Sequence, residues 1–143
     1  MEPIEWNNEK MSIGIKLIDD EHKVLLGIIN QLSTSITEQS QKNDILIIIN
    51  KLMDYASHHF KTEERLFEKF DYIEADIHLK EHSAFSEKFI EIKHKFEIDS
   101  LYLRRNSIEI AEDIFTYIIV WFLKHVNGSD RKYVKLFQDH GIE

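Results

Sequence analysis

The sequence has no cysteine, one proline and four glycines among its 143 residues. Without cysteine there is neither a disulfide framework nor a thiolate metal site. So few breakers favour helices over a sheet protein, which needs many tight turns. Long apolar runs are missing too: the longest, IFTYIIVWFL at 114–123, is far short of a membrane span, so no membrane insertion is expected. The opening MEPIEWNNEK lacks the basic-then-apolar order of a secretory leader, which makes a cytoplasmic location the default expectation. Positive charge is scarce: 18 Lys and Arg stand against 26 Asp and Glu, for a formal net charge of −8. That balance argues against nucleic acid and anionic membrane surfaces as partners. The length suits one domain with a real core, so residues 1–143 read as a single unit, expected as a monomer.

What is plentiful is Leu, Ile, Glu and Lys, together with 8 histidines. Residues 1–18 read as an extended arm anchored by Trp6 and bent at Gly14. Asp19 or Asp20 is the expected N-cap of a first long helix reaching about Glu38. After a polar loop, EQSQKND, the second helix runs from about Asp44 to Phe70. A short connection, Asp71–Glu74, leads to a third helix ending near Glu97, and IDSLYLRRN (98–106) reads as a loop. Ser107 is the expected cap of a fourth helix that stops near Asn127–Gly128, and Ser129–Asp130 the cap of a short last helix, RKYVKLFQDH. The fold class is therefore all-α: an up-down-up-down four-helix bundle with an N-terminal arm and a short C-terminal helix.

Each long helix carries an apolar stripe at alternating steps of three and four. The first has Ile15, Ile18, His22, Leu25, Ile29, Leu32 and Ile36, and the second Ile45, Ile49, Leu52, Ala56, His59, Glu63, Leu66 and Phe70. The third has Ala75, His78, His82, Phe85, Phe89, Ile92 and Phe96, and the fourth Ala111, Ile114, Ile118, Trp121 and His125. The only interruptions are five histidines and one glutamate. In an up-down bundle the interruptions lie roughly 15–20 residues, or about 25–30 Å, from the far end of their helices. They meet in one slice.

A buried polar group without a partner costs several kcal/mol. Hydrogen bonding among themselves satisfies two or three imidazoles, not five converging ones, whereas metal coordination satisfies all. HFKTE puts His59 and Glu63 on one face, and HLKEH does the same for His78 and His82. Two such pairs with His22 and His125 exceed what one small ion holds, so two ions bridged by Glu63 fit better. Asp130, five residues after His125 in HVNGSD, is the candidate second bridge. Residues i and i+5 diverge by about 140° on a regular helix, so the helix must end there or loosen by a π-type turn.

These residues resemble the hemerythrin family, and specifically its small single-domain bacterial members. The similarity runs over nearly the whole chain: the arm with Trp6, GIKLIDDEH, HFKTEE, HLKEH and WFLKHVNGSD. It implies a non-haem di-iron centre, with one iron held by His78, His82 and His125 and the other by His22 and His59. Glu63, Asp130 and an oxo or hydroxo group would bridge the pair. The implied activity is reversible dioxygen binding at the iron with fewer histidines, in a carrier rather than an enzyme, for storage or for delivery to an oxygen-consuming enzyme. The alternatives are a sensor of O2 or NO, a di-iron enzyme with peroxidase or nitric-oxide-reducing turnover, and simple metal buffering. Five neutral nitrogens in place of the carboxylates of di-iron oxidases favour the ferrous state, which supports the carrier. Leu25, Ile29, Phe60, Ile118 and Trp121 are the expected apolar wall of the oxygen pocket. The chain departs from the family pattern at Glu21, where Gln is common, and at Phe67, where bacterial members often carry Met.

Taken singly, a core histidine is more often structural than a ligand; five at one level reverse that. His58, His94 and His140 are left as surface or flanking residues. Glu64 reads as a solvated partner of Lys61 or Arg65, and the Phe85, Phe89 and Phe96 stripe as packing.

Overall fold

The computed structural model describes residues 2–102 and 106–143, and of 99–102 only the backbone. Among the described residues six α-helices follow in order: α1 (Asn8–Met11), α2 (Lys16–Thr37), α3 (Lys42–Lys69), α4 (Ala75–Tyr102), α5 (Ser107–His125) and α6 (Val134–Asp139), with a π-turn at Val126–Asp130 between the last two. α2 packs on α3 and α5, and α4 packs on the same two from the other side. The four long helices thus close into the expected bundle. Away from the histidines the core is apolar but for Ser33 and Ser35 among the described residues, with Leu32, Ile36, Ile45, Ile49, Phe89, Phe96, Ala111 and Ile114 all buried.

The arm is more built than an extended strand. It contains α1, capped by the Asn7 side chain, which accepts from the Lys10 amide at 3.1 Å. Asn30 on α2 clamps the arm at Ile4 by two 2.8 Å hydrogen bonds, one to the amide and one from the side-chain amide to the carbonyl. Trp6 is only half-buried, with Lys23 over its ring, so Met11, Ile13 and Ile15 carry the anchoring. Gly14 makes the expected bend at φ +78°, a conformation that an L side chain resists.

Because the chain turns at Gly14 and Ile15 is fully buried, α2 starts at Lys16 and neither Asp19 nor Asp20 caps it. Asp19 instead reaches back from the first turn to accept from the Ile13 amide at 2.9 Å and the Ser12 hydroxyl at 2.6 Å. α4 continues through EIDSLY to Tyr102, past the expected end at Glu97, since the stretch has no breaker. The rest of that expected loop, 103–105, lies outside the described residues. The cap of α5 is Asn106, whose side chain accepts from the Ile108 amide at 2.8 Å, and not Ser107. α6 is shorter than expected. It begins at Val134 with no side-chain cap, because Ser129 and Asp130 belong to the π-turn.

Candidate metal centre

His22 on α2, His59 and Glu63 on α3, His78 and His82 on α4, His125 at the end of α5 and Asp130 in the π-turn are all buried and share one slice of the bundle. They form two groups joined in the middle. In one, Glu63, His78, His82 and His125 bring ligand-type atoms within 4.8 Å of one another; in the other, His22, His59, Glu63 and Asp130 do.

The two carboxylates face both ways. Asp130 turns Oδ1 to the Nε2 atoms of His78 and His125, each at 3.1 Å, and Oδ2 to His22 Nε2 at 3.3 Å. Glu63 turns Oε1 to His59 Nε2 at 2.6 Å and Oε2 to His78 Nε2 at 3.2 Å. The π-turn makes this possible. One extra residue per turn over Val126–Asp130 brings Asp130 back to the face of His125, the second of the two outcomes, helix end or π-type turn, that the HVNGSD spacing left open.

Aromatic rings enclose the slice. Phe60 lies flat on His82 with centroids 3.9 Å apart, and Trp121 lies flat on His125 at 4.4 Å. Phe122 meets His22 edge-on at 5.5 Å, and Phe67 meets His78 at 4.7 Å. Phe122 is buried and Trp121 partly buried against the core, so both of these adjacent aromatics face the slice, where spacing singles out Trp121. Phe67 is likewise buried where Leu66 was expected to be.

Three acids off the stripes reach the outer ring nitrogens. Glu81 Oε2 is 2.9 Å from His125 Nδ1, Glu21 Oε2 is 3.5 Å from His59 Nδ1, and Glu64 Oε1 is 3.6 Å from His82 Nδ1. Glu64 is therefore a neighbour of the site rather than a solvated partner of Lys61 or Arg65. Each acid reaches across to the next helix, because a residue one step before or after a stripe position sits about 100° round the helix. The sequence signal was there in two EH pairs, Glu21–His22 and Glu81–His82, and in the doubled acid Glu63–Glu64. His58, 63 % exposed, stays outside at 3.8 Å from Glu21, and His140 stacks on Phe70 at the surface.

In the chain alone the charges compete. Burial opposes a charge on His59, but Glu63 and then Glu21 outweigh it and lift the ring to about 10. His78 rises to about 9 in the same way, against burial, through Asp130 and Glu63. Burial, helped by the neighbouring His78 and His125, outweighs Glu63 and Asp130 and pushes His82 down to about 3. Burial and Asp130 work against Glu63, yet His59 and His78 hold it near 2. Asp130 lies well below the usual carboxylate range, against its burial, through His125, His22 and His78. Burial first, then Asp130 and Glu63, hold the Tyr133 phenol well above its ordinary value, so it keeps its proton.

The protein atoms do not satisfy this slice by themselves. Both oxygens of Glu63, both of Asp130 and His82 Nε2 are buried without a hydrogen bond of acceptable geometry. Nε2 of His22 faces Nε2 of His59 at 3.0 Å, and Nε2 of His125 faces Nε2 of His78 at 3.1 Å. In the chain alone one proton between each pair makes the contact a hydrogen bond, and that proton leaves if both nitrogens turn to a metal. Two donors about 2.1 Å from a shared cation and at right angles to each other stand about 3.0 Å apart. Imidazole and carboxylate without thiolate is a donor set suited to iron and similar divalent metals. The residues present fit metal ions.

The profile of the hemerythrin HHE cation binding domain matches residues 13–137. The chain belongs to the hemerythrin family. Among relatives of this hemerythrin-family chain, a bacteriohemerythrin of Stenotrophomonas maltophilia is 25 % identical over 135 residues, covering 94 % of this chain and 82 % of its own. A bacteriohemerythrin of Clostridium acetobutylicum is 27 % identical over 132 residues, at 90 % and 97 % coverage. A hemerythrin-like protein of Naegleria gruberi is 27 % identical over 131 residues, at 92 % and 91 %. The crystal structure of a wild-type hemerythrin superposes with a TM-score of 0.80 at 22 % identity, covering 93 % of this chain and 96 % of that one; it shares the bundle fold. Among the described residues no helix is long and apolar enough to cross a membrane.

Proposed function

We propose that this hemerythrin-family chain binds dioxygen reversibly at two non-haem irons, as a carrier without catalytic turnover. One ion is assigned to His78, His82 and His125 and the other to His22 and His59, with Glu63 and Asp130 bridging. The observation that carries the reading is the two-sided placement of Asp130, with Oδ1 toward one histidine group and Oδ2 toward the other. Bound there, a ferrous pair supplies the electrons that reversible dioxygen binding draws on and returns.

The chain's own contribution is asymmetry and dryness. Three histidines and two carboxylates give one side five protein donors, while two histidines and the same carboxylates give the other side four. The side of His22 and His59 is thus the open one. Leu25 and Ile29, one and two turns beyond His22 on the buried stripe, and Phe60, Ile118 and Phe122 are all apolar and buried. An apolar wall keeps water and stray protons from the ligand, which favours release over irreversible chemistry.

The test is optical. Ferrous protein exposed to air should develop a visible absorption band that disappears under argon and returns over repeated cycles. A band that forms once and bleaches irreversibly would favour enzymatic turnover or metal buffering instead.

A further inference from the structure

We propose that Glu81 is the positioning residue of the three-histidine group: it sets the ring of His125 and clamps the π-turn that presents Asp130. The assignment rests on the metal reading above. His125 is the last residue of α5, where regular helix gives way to the π-turn, so the backbone on its C-terminal side does little to hold its ring. Trp121 covers one ring face at 4.4 Å and 14° from parallel, which fixes the plane but leaves rotation within it free. The edge is fixed by Glu81, whose Oε2 stands 2.9 Å from Nδ1. An imidazole that donates Nδ1–H to a carboxylate keeps its lone pair on Nε2. That atom points inward, 3.1 Å from both His78 Nε2 and Asp130 Oδ1.

The same oxygen has a second task. Glu81 Oε2 accepts a hydrogen bond from the Ser129 hydroxyl at 2.5 Å, and Ser129 directly precedes Asp130. One carboxylate oxygen therefore joins α4, the end of α5 and the π-turn. Neither of the other two outer acids does this. Glu21 and Glu64 stand 3.5 and 3.6 Å from their ring nitrogens, beyond a good charge-assisted hydrogen bond. The Glu81 side chain is 39 % exposed, so truncating it opens no cavity in the core. Its loss should be felt by the metal and not by the fold.

The experiment loads wild type, Glu81→Ala, Glu81→Gln and Ser129→Ala with ferrous iron anaerobically, then follows release to a ferrous chelator. Wild type should hold two ions. E81A should release one of the two about 10- to 100-fold faster and keep the other at the wild-type rate. E81Q should lie near wild type, since its amide oxygen can accept the same Nδ1–H, and S129A should fall between. Metal-free E81A should unfold in one cooperative transition only a few degrees below wild type, so that a release rate changed about 10- to 100-fold is not a folding defect. A wild type that holds two ions beside an E81A with unchanged release overturns the Glu81 assignment alone, as does an E81Q as leaky as E81A. A wild type that retains no iron overturns the metal reading and this assignment with it.

Discussion

The Nε2 atoms of His22 and His59, carried on different helices, face one another at 3.0 Å inside the bundle. Neither belongs to the group of Glu63, His78, His82 and His125. His59→Ala should therefore empty one side and leave the other, so that the desalted protein carries one iron per chain instead of two. His82→Ala should do the reverse, again leaving one. Elemental analysis of both variants checks this. Loss of both ions in His59→Ala would mean the two groups are not separable sites.

The metal-free chain should be most stable near pH 6.5 and weaken on both sides. His82 is held near 3, below its unfolded value of 6.5, so the unfolded chain binds the extra proton as pH falls from 6.5 toward 3 and stability drops. His59 and His78 are raised to about 10 and about 9. Their contribution is complete below pH 6.5 and is lost as pH rises through those values. Thermal melts of chelator-treated protein from pH 4 to 10 measure it; a midpoint that climbs steadily into alkaline solution contradicts the assignment.

Loading iron near pH 7.5 should expel protons. His59 and His78 carry protons there in the chain alone, and a metal ligand must give its proton up. About two protons should leave each chain when both ions bind. Calorimetric titration in two buffers of different ionisation enthalpy counts them, and a count near zero contradicts the charge state derived for the slice.

Phe60 is buried and stacked on His82, so it supports that ring as well as the core. Phe60→Ala should cost about 3–5 kcal/mol of stability by leaving a cavity. It should also let water reach the centre and speed irreversible oxidation in air. Denaturant unfolding gives the first quantity and the lifetime of the oxygenated absorption band the second. A variant as stable and as long-lived as wild type would remove Phe60 from the wall.

The bundle was legible because its signal is periodic. Stripes such as Ile45, Ile49, Leu52 and Ala56 are buried as spacing demands, and the polar interruptions meet at one level. The five-residue step from His125 to Asp130 left a helix end and a π-type turn both open, and the structure has the π-turn. Helix ends were less legible: Asp19 and Asp20 were the expected caps of α2 and Ser107 of α5, whereas the packing of Ile15 and the reach of Asn106 decide the two starts. The outer acids were missed for a related reason. Glu21, Glu64 and Glu81 lie on helix flanks, where a stripe count reads solvent, and their partners sit on neighbouring helices. Phe122 joins Trp121 at the slice because adjacent aromatics on a helix edge present nearly equal claims by spacing, and a stripe count names only one of them.

Anomalous scattering at the iron edge, from crystals of the iron-loaded protein, tests the central claim most directly. Two peaks are predicted inside the bundle, one beside His22 and His59 and one beside His78, His82 and His125, with Glu63 and Asp130 between them. A single peak, or iron found only at the surface, would contradict it.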